Sequence, residues 1–97
     1  MIVYISGPIT GKDNYKNVFM EAEKKLRMGG CEVINPAEIA DLFPKSFKHG
    51  DYMDIDLVLL DKADAILMLP GYEKSQGASM ELGYAIAKGK VVFKDGV

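Results

Sequence analysis

Strand-like runs alternate with helix-like segments along all 97 residues, which predicts one α/β domain with a short, mostly parallel sheet of about four strands and helices on both faces. Three observations carry this expectation. Apolar runs of strand length recur at residues 2–6, 31–34, 65–69 and 90–93. Helix-period stretches long enough for a crossover separate them, and Gly or Pro punctuates most junctions. Neither an internal repeat nor a linker divides the chain, so residues 1–97 read as a single domain.

The first strand, residues 2–6, is almost continuously apolar, as in a strand covered on both faces, and ends at Gly7-Pro8. Residues 14–28 follow as a helix, with Val18, Ala22 and Leu26 near helical spacing and Gly29-Gly30 as its stop. Residues 31–34 make the second strand, broken by Asn35-Pro36. A short helix over 37–43 and a polar connection over 44–50 lead to a helix over 52–63. Residues 65–69 form the third strand, closed by Pro70-Gly71. The last helix runs from 75/76 to 88, is ended by Gly89, and delivers the chain into the fourth strand at 90–93.

Composition excludes several classes. Hydrophobic residues make up 48% and charged residues 27%, ordinary proportions for a globular chain. Twelve basic against fourteen acidic residues give a net charge of −2, which lacks the basic excess a nucleic-acid polymer demands. No apolar run approaches the ~20 residues of a membrane helix. Met1 leads straight into Ile2-Val3-Tyr4-Ile5 without a basic lead, and Cys31 stands alone, so a reducing, cytoplasmic setting is expected. A chain this short buries a modest share of its surface, which favours homo-oligomers.

In open parallel sheets ligands bind beyond the carboxyl ends of the strands. Two segments there carry candidate chemistry. Tyr4-Ile5-Ser6-Gly7-Pro8-Ile9-Thr10-Gly11-Lys12 runs a strand into a glycine- and hydroxyl-bearing loop, where backbone N–H groups can approach a ligand. Its spacing matches neither GxGxxG nor a P-loop, and a plain strand-to-helix turn fits equally. Ser75-Gln76-Gly77-Ala78-Ser79-Met80-Glu81-Leu82-Gly83-Tyr84-Ala85 opens a helix with small residues in its first turn, as if something approaches closely. Glu81 shares a side with Ala78 and Ala85, at the margin of the sheet-facing stripe, and should hold its charge in the helix dipole, a useful state for a nucleophile. The plain alternative is a capping Ser75 with Glu81 in solvent.

Asp56 is the third candidate, because Tyr52, Leu59, Leu60 and Ala63 set it inside an apolar row. Two carboxyl groups brought together would separate in pKa, one ionised and one holding a proton. An Asp satisfied by the dipole or a neighbouring hydroxyl is the plain reading. His49 has no second ligand at metal spacing, so no metal is expected.

Tyr4-Ile5-Ser6-Gly7-Pro8, Ala63-Asp64-Ala65-Ile66 and the Gly77-Ala78-x-x-Glu81-x-Gly83-x-Ala85 stretch, in this order, resemble the nucleoside 2-deoxyribosyltransferase superfamily, especially its short phage- and bacterial-type members. The resemblance implies a flavodoxin-like three-layer sandwich and cleavage of the N-glycosidic bond of a deoxyribonucleoside or its 5′-monophosphate. It implies Glu81 as nucleophile, Asp56 as the acid that orients the sugar and serves the departing base, and Tyr4 as an active-site tyrosine. Gly7, Pro8, Gly77 and Ala78 fall on its substrate-binding segments, and Ser75 on a phosphate-contacting serine. Relatives that hydrolyse monophosphates have a serine at Pro8 and an arginine near Thr10, leaving Lys12 or Lys74 as candidates for that grip.

The expected activity is thus transfer to another base, or hydrolysis, through a covalent glycosyl intermediate on Glu81, with no metal or redox cofactor. It requires the two acids to meet over a sugar-sized hollow. A non-catalytic binder or sensor of a nucleotide-like ligand is the alternative on the same crevice, and a flavodoxin-like phosphate or cofactor binder is a third reading.

Overall fold

The computed structural model describes residues 1–9 and 13–95. Four strands, β1 (Ile2–Ser6), β2 (Glu32–Ile34), β3 (Ala65–Met68) and β4 (Val91–Lys94), form one sheet in the order β2-β1-β3-β4. All three pairings are parallel; Tyr4 lies opposite Ile34 on one side and Ile66 on the other. The helices are α1 (Tyr15–Met28), α2 (Pro36–Ile39), α3 (His49–Asp61) and α4 (Gln76–Ala87).

Strand alternation sorts the core into two faces. Val3 and Ile5 of β1 point to one side, where they pack with Phe19 and Ala22 of α1. Tyr4 points to the other, with Leu60 of α3 and Ala78 and Ala85 of α4. The result is three layers, with α1 on one face and α3 and α4 on the other. Each fully buried aliphatic side chain contributes about 1.5–3 kcal/mol by leaving water. β1 is buried from Val3 to Ser6 because it is central and covered twice.

The chain steps from β1 outward to β2, then crosses back to β3 and continues to β4, so strand order reverses between β1 and β3. At such a switch point the flanking loops diverge and leave a crevice at the carboxyl ends of the strands. Here the two loops are also tied together. The Leu69 amide donates to the Ser6 carbonyl at 2.8 Å. A Cβ on Gly7 would stand 2.8 Å from Leu69 Cβ, so only glycine permits this approach. Gly71 has φ 87°, in the left-handed region, and lies against Pro8.

The ends of β2, β3 and β4 shift by one residue, and α3 ends at Asp61 rather than residue 63. The larger departures from the sequence-based expectation lie at the start of α3 and at the helix before it. α3 starts at His49 rather than residue 52, because Asp51 Oδ2 accepts from the Lys48 amide at 2.8 Å and closes the first turn. The rings of Phe43, Phe47 and Tyr52 pack at centroid distances of 5.9–6.1 Å, fastening the shortened connection to α3. The helix expected over 37–43 is instead α2 followed by a 3-10 turn at Ala40–Leu42. Asn35 Oδ1 starts it by accepting from the Ala37 amide at 3.1 Å, with Pro36 preset in the first helical position.

α3 and α4 are pinned at their far ends. The Tyr84 hydroxyl donates to Asp61 Oδ1 at 2.9 Å, and Lys90 Nζ donates to the Ala63 carbonyl at 2.7 Å. Asp64 Oδ2 accepts from the Ile2 amide at 2.8 Å and secures the start of β1. Among the described residues, no helix is long and apolar enough to cross a membrane.

Candidate active site

α4 turns Ala78, Glu81 and Ala85 inward, at i, i+3 and i+7, and these are its buried residues. Ser75 sets the register as N-cap, its Oγ accepting from the Ala78 amide at 3.2 Å. Glu81 is therefore carried to the face of β1 that bears Tyr4, with 6% of its surface exposed. The Tyr4 hydroxyl donates to Oε2 at 2.5 Å, and the Ser6 hydroxyl donates to Oε1 at 2.6 Å. Tyr4 and Ser6, two positions apart on one strand, thus hold both oxygens of one carboxyl group. Among the described residues, no buried side-chain polar atom lacks a partner.

Burial dominates the electrostatics. It raises the Glu81 carboxyl to about 7, against the lowering effect of the Ser6 and Tyr4 hydrogen bonds and with a further push from the charge of Asp56. The expectation that the helix dipole would keep Glu81 fully ionised is corrected: desolvation outweighs it, and both protonation states are populated near neutral pH. The Tyr4 phenol is pushed far up by burial, then by the charges of Glu81 and Asp56 and by the bond to Glu81, so it stays a donor.

Asp56 lies on α3, the helix that shares this face of the sheet with α4. It is half-buried, and its charge acts on both Glu81 and Tyr4. Burial raises its carboxyl to about 6, opposed by the charge of His49. The two acids do not divide into one ordinary and one raised group, as expected for a coupled pair; desolvation lifts both.

Gly7 and Pro8 form the loop just beyond Ser6. Ala78 is buried in the core with Tyr4 and Leu60. At Gly77 a Cβ would meet His49 Cε1 and Met53 Sδ, each at 3.4 Å, so the element approaching this small residue is α3. Thr10, Gly11 and Lys12 lie outside the described residues. Among the described residues, no group of His, Cys, Asp and Glu is arranged to hold a metal ion.

Two surface grooves stand apart from the acids. One, of about 510 Å³, lies along α1 and α2, bordered by Lys16, Arg27 and Asp41. The other, of about 240 Å³, opens beside Pro8 and Leu69 on the α1 side. Glu81 and Asp56 line neither, so the sugar-sized hollow expected over the acids is neither of these grooves.

Ser6 is a site residue not expected from the sequence, although its position two residues after Tyr4, at the carboxyl end of β1, carries the signal. His49, within the connection expected over 44–50, begins α3, and its charge bears on Asp56.

The model of a family described as a domain of unknown function, DUF4406, matches residues 1–94. The chain belongs to the DUF4406 family. No curated protein matches it. Among solved structures, this DUF4406 domain is similar to a 2-deoxyribosyltransferase from Bacillus psychrosaccharolyticus, with TM-score 0.77 and 23% identity over 97% of this chain and 71% of that one. It is also similar to a 2-deoxyribosyltransferase from Leishmania mexicana, with TM-score 0.72 and 21% identity over 96% of this chain. It spans 62% of the latter's length. The DUF4406 domain therefore has the fold seen in 2-deoxyribosyltransferases, as the resemblance to that superfamily implied.

Proposed function

We propose that this DUF4406 domain cleaves the N-glycosidic bond of a deoxyribonucleoside or its 5′-monophosphate, with Glu81 as the nucleophile. The observation that carries the reading is the cluster itself: one buried carboxyl group held at both oxygens by Tyr4 and Ser6, with the Asp56 carboxyl acting on it from α3. Structural likeness to two 2-deoxyribosyltransferases, the first described as a catalyst of nucleoside synthesis, supports the substrate class.

In the first step an oxygen of the Glu81 carboxylate bonds to C1′ of the sugar. The C1′–N bond breaks, its electron pair stays on the base, and the Asp56 carboxyl supplies the proton the base needs. A fixed carboxylate suits the positive charge that develops on the ring. In the second step water, or the nitrogen of another base, attacks C1′; Asp56 takes the released proton and Glu81 departs as carboxylate. Tyr4 keeps Glu81 oriented throughout. The Ser75 oxygen is used in capping, which leaves its proton to donate to a 5′-phosphate near Gly7, Pro8, Gly77 and Ala78. The same reading takes the protein as a cytoplasmic homo-oligomer, a second copy completing the wall around the base.

The test is incubation of the wild type and Glu81→Gln with a panel of deoxynucleosides and their monophosphates, following free base by chromatography. Base release by the wild type and its loss in the variant are expected. Binding of panel members without any base release would overturn the enzyme reading in favour of a nucleotide binder.

A further inference from the structure

The Ser6 hydroxyl has no structural duty that a methyl group could not perform, apart from its bond to Glu81. Ser6 is 1% exposed at the end of a doubly covered strand, where an apolar side chain would be the ordinary occupant. Its Oγ is instead spent on Glu81 Oε1, 75 positions away. Ser6 also lies two residues, about 6.6 Å, further along β1 than Tyr4, toward the carboxyl edge where a ligand would enter.

Building on the glycosidase reading above, we infer that Ser6 is a positioning residue for the nucleophile: its hydroxyl holds Oε1, the oxygen nearer the carboxyl edge, so that Glu81 presents that oxygen to the sugar while Tyr4 anchors Oε2. Each carboxylate oxygen carries two lone pairs. One donor on each therefore fixes the plane of the group without occupying the pair that attacks. When Oε1 bonds to C1′ it loses its negative charge, and the Ser6 bond weakens; when the sugar leaves, that bond stabilises the returning carboxylate. Without Ser6 the carboxylate loses a charge-assisted donor and protonates more readily. The titratable groups facing Glu81 are Tyr4 from β1 and Asp56 from α3, with His49 beyond Asp56.

The experiment follows the Glu81 carboxyl by 13C NMR titration in the wild type, Ser6→Ala, Ser6→Cys and Ser6→Thr, alongside the pH profile of kcat/KM. In Ser6→Ala the Glu81 titration should move up by about one pH unit, the equivalent of one hydrogen bond to a charged group. Because Glu81 carries the higher of the two carboxyl values, the alkaline limb of kcat/KM should move up with it and the rate on the acidic side should fall about tenfold. Ser6→Cys, close in volume with a weaker donor, should shift in the same direction by less, and Ser6→Thr should restore the wild-type values. An unchanged titration in Ser6→Ala and Ser6→Cys, or a shifted titration with an unmoved alkaline limb and an undiminished rate, would overturn the inference. A shifted titration in a protein that turns over no substrate would leave the Ser6–Glu81 hold intact and remove the glycosidase reading instead.

Discussion

The Tyr4 hydroxyl and Glu81 Oε2 meet at 2.5 Å across 77 positions of sequence, joining the third residue of the central strand to the middle of the last helix. The contact exists because α4 crosses the sheet face that Tyr4 occupies, and because Ala78 and Ala85 are small enough to bring the helix down onto β1. An acid in such a place loses most of its water, which sets its chemistry.

That desolvation ties folding stability to pH. Glu81 titrates at about 7 in the folded chain and near its ordinary 4.5 when unfolded; Asp56 titrates at about 6 against 3.8. Between these values the folded state holds protons that the unfolded state has released, so their contribution to stability is greatest below pH 4 and is lost as pH rises to about 7. The Glu81 share is about 3 kcal/mol. Glu23, whose carboxyl is lowered by Arg27 and then by Asn35, acts in the opposite sense, so the difference between proteins is the measurement. Urea denaturation across pH 4–8 should show Glu81→Gln gaining stability relative to the wild type as pH rises.

The rate should depend on pH through the same two acids. Attack needs Glu81 ionised and departure of the base needs Asp56 protonated, yet the nucleophile carries the higher of the two values, about 7 against about 6. The competent form is a minor one, and kcat/KM should trace a narrow bell centred near pH 6.5 whose limbs belong to the coupled pair. Asp56→Asn should remove the alkaline limb and slow base release by about 10²–10⁴-fold. The loss should be smallest for substrates whose base leaves without protonation, as measured across a series of leaving groups.

Two glycines of the site segments should respond in opposite ways. Gly7→Ala drives a methyl to 2.8 Å from Leu69 Cβ at the β1–β3 switch point and should cost about 1–3 kcal/mol. Gly77→Ala meets His49 and Met53 at an ordinary 3.4 Å and adds helix propensity, so it should be neutral or stabilising by up to about 1 kcal/mol. Thermal or urea unfolding of both variants decides this.

Ser75→Ala should separate a structural from a binding role. Loss of the bond to the Ala78 amide should cost about 1 kcal/mol of stability. If the hydroxyl also meets a 5′-phosphate, KM should rise for monophosphates and stay unchanged for nucleosides.

The sheet was legible in the sequence because parallel strands announce themselves as short apolar runs, and β1, from Ile2 to Ser6, came out residue for residue. The start of α3 was not, since the His49-Gly50 pair hides a first turn that depends on Asp51 meeting the Lys48 amide. Within the site, Glu81 and Asp56 stood out as acids in apolar rows, and Tyr4 entered through family resemblance. Ser6 stayed hidden because a serine ending a strand looks like a turn residue until its partner 75 positions away is known. Gly77 suggested a close approach correctly, but the approaching atoms belong to His49 and Met53.

The most direct measurement is peptide mass mapping of the wild-type protein quenched rapidly during turnover of the deoxynucleoside panel. A deoxyribosyl or deoxyribosyl-phosphate adduct on the peptide containing Glu81, absent from Glu81→Gln, is the predicted result. Base release that proceeds without any such adduct and survives Glu81→Gln would contradict the account.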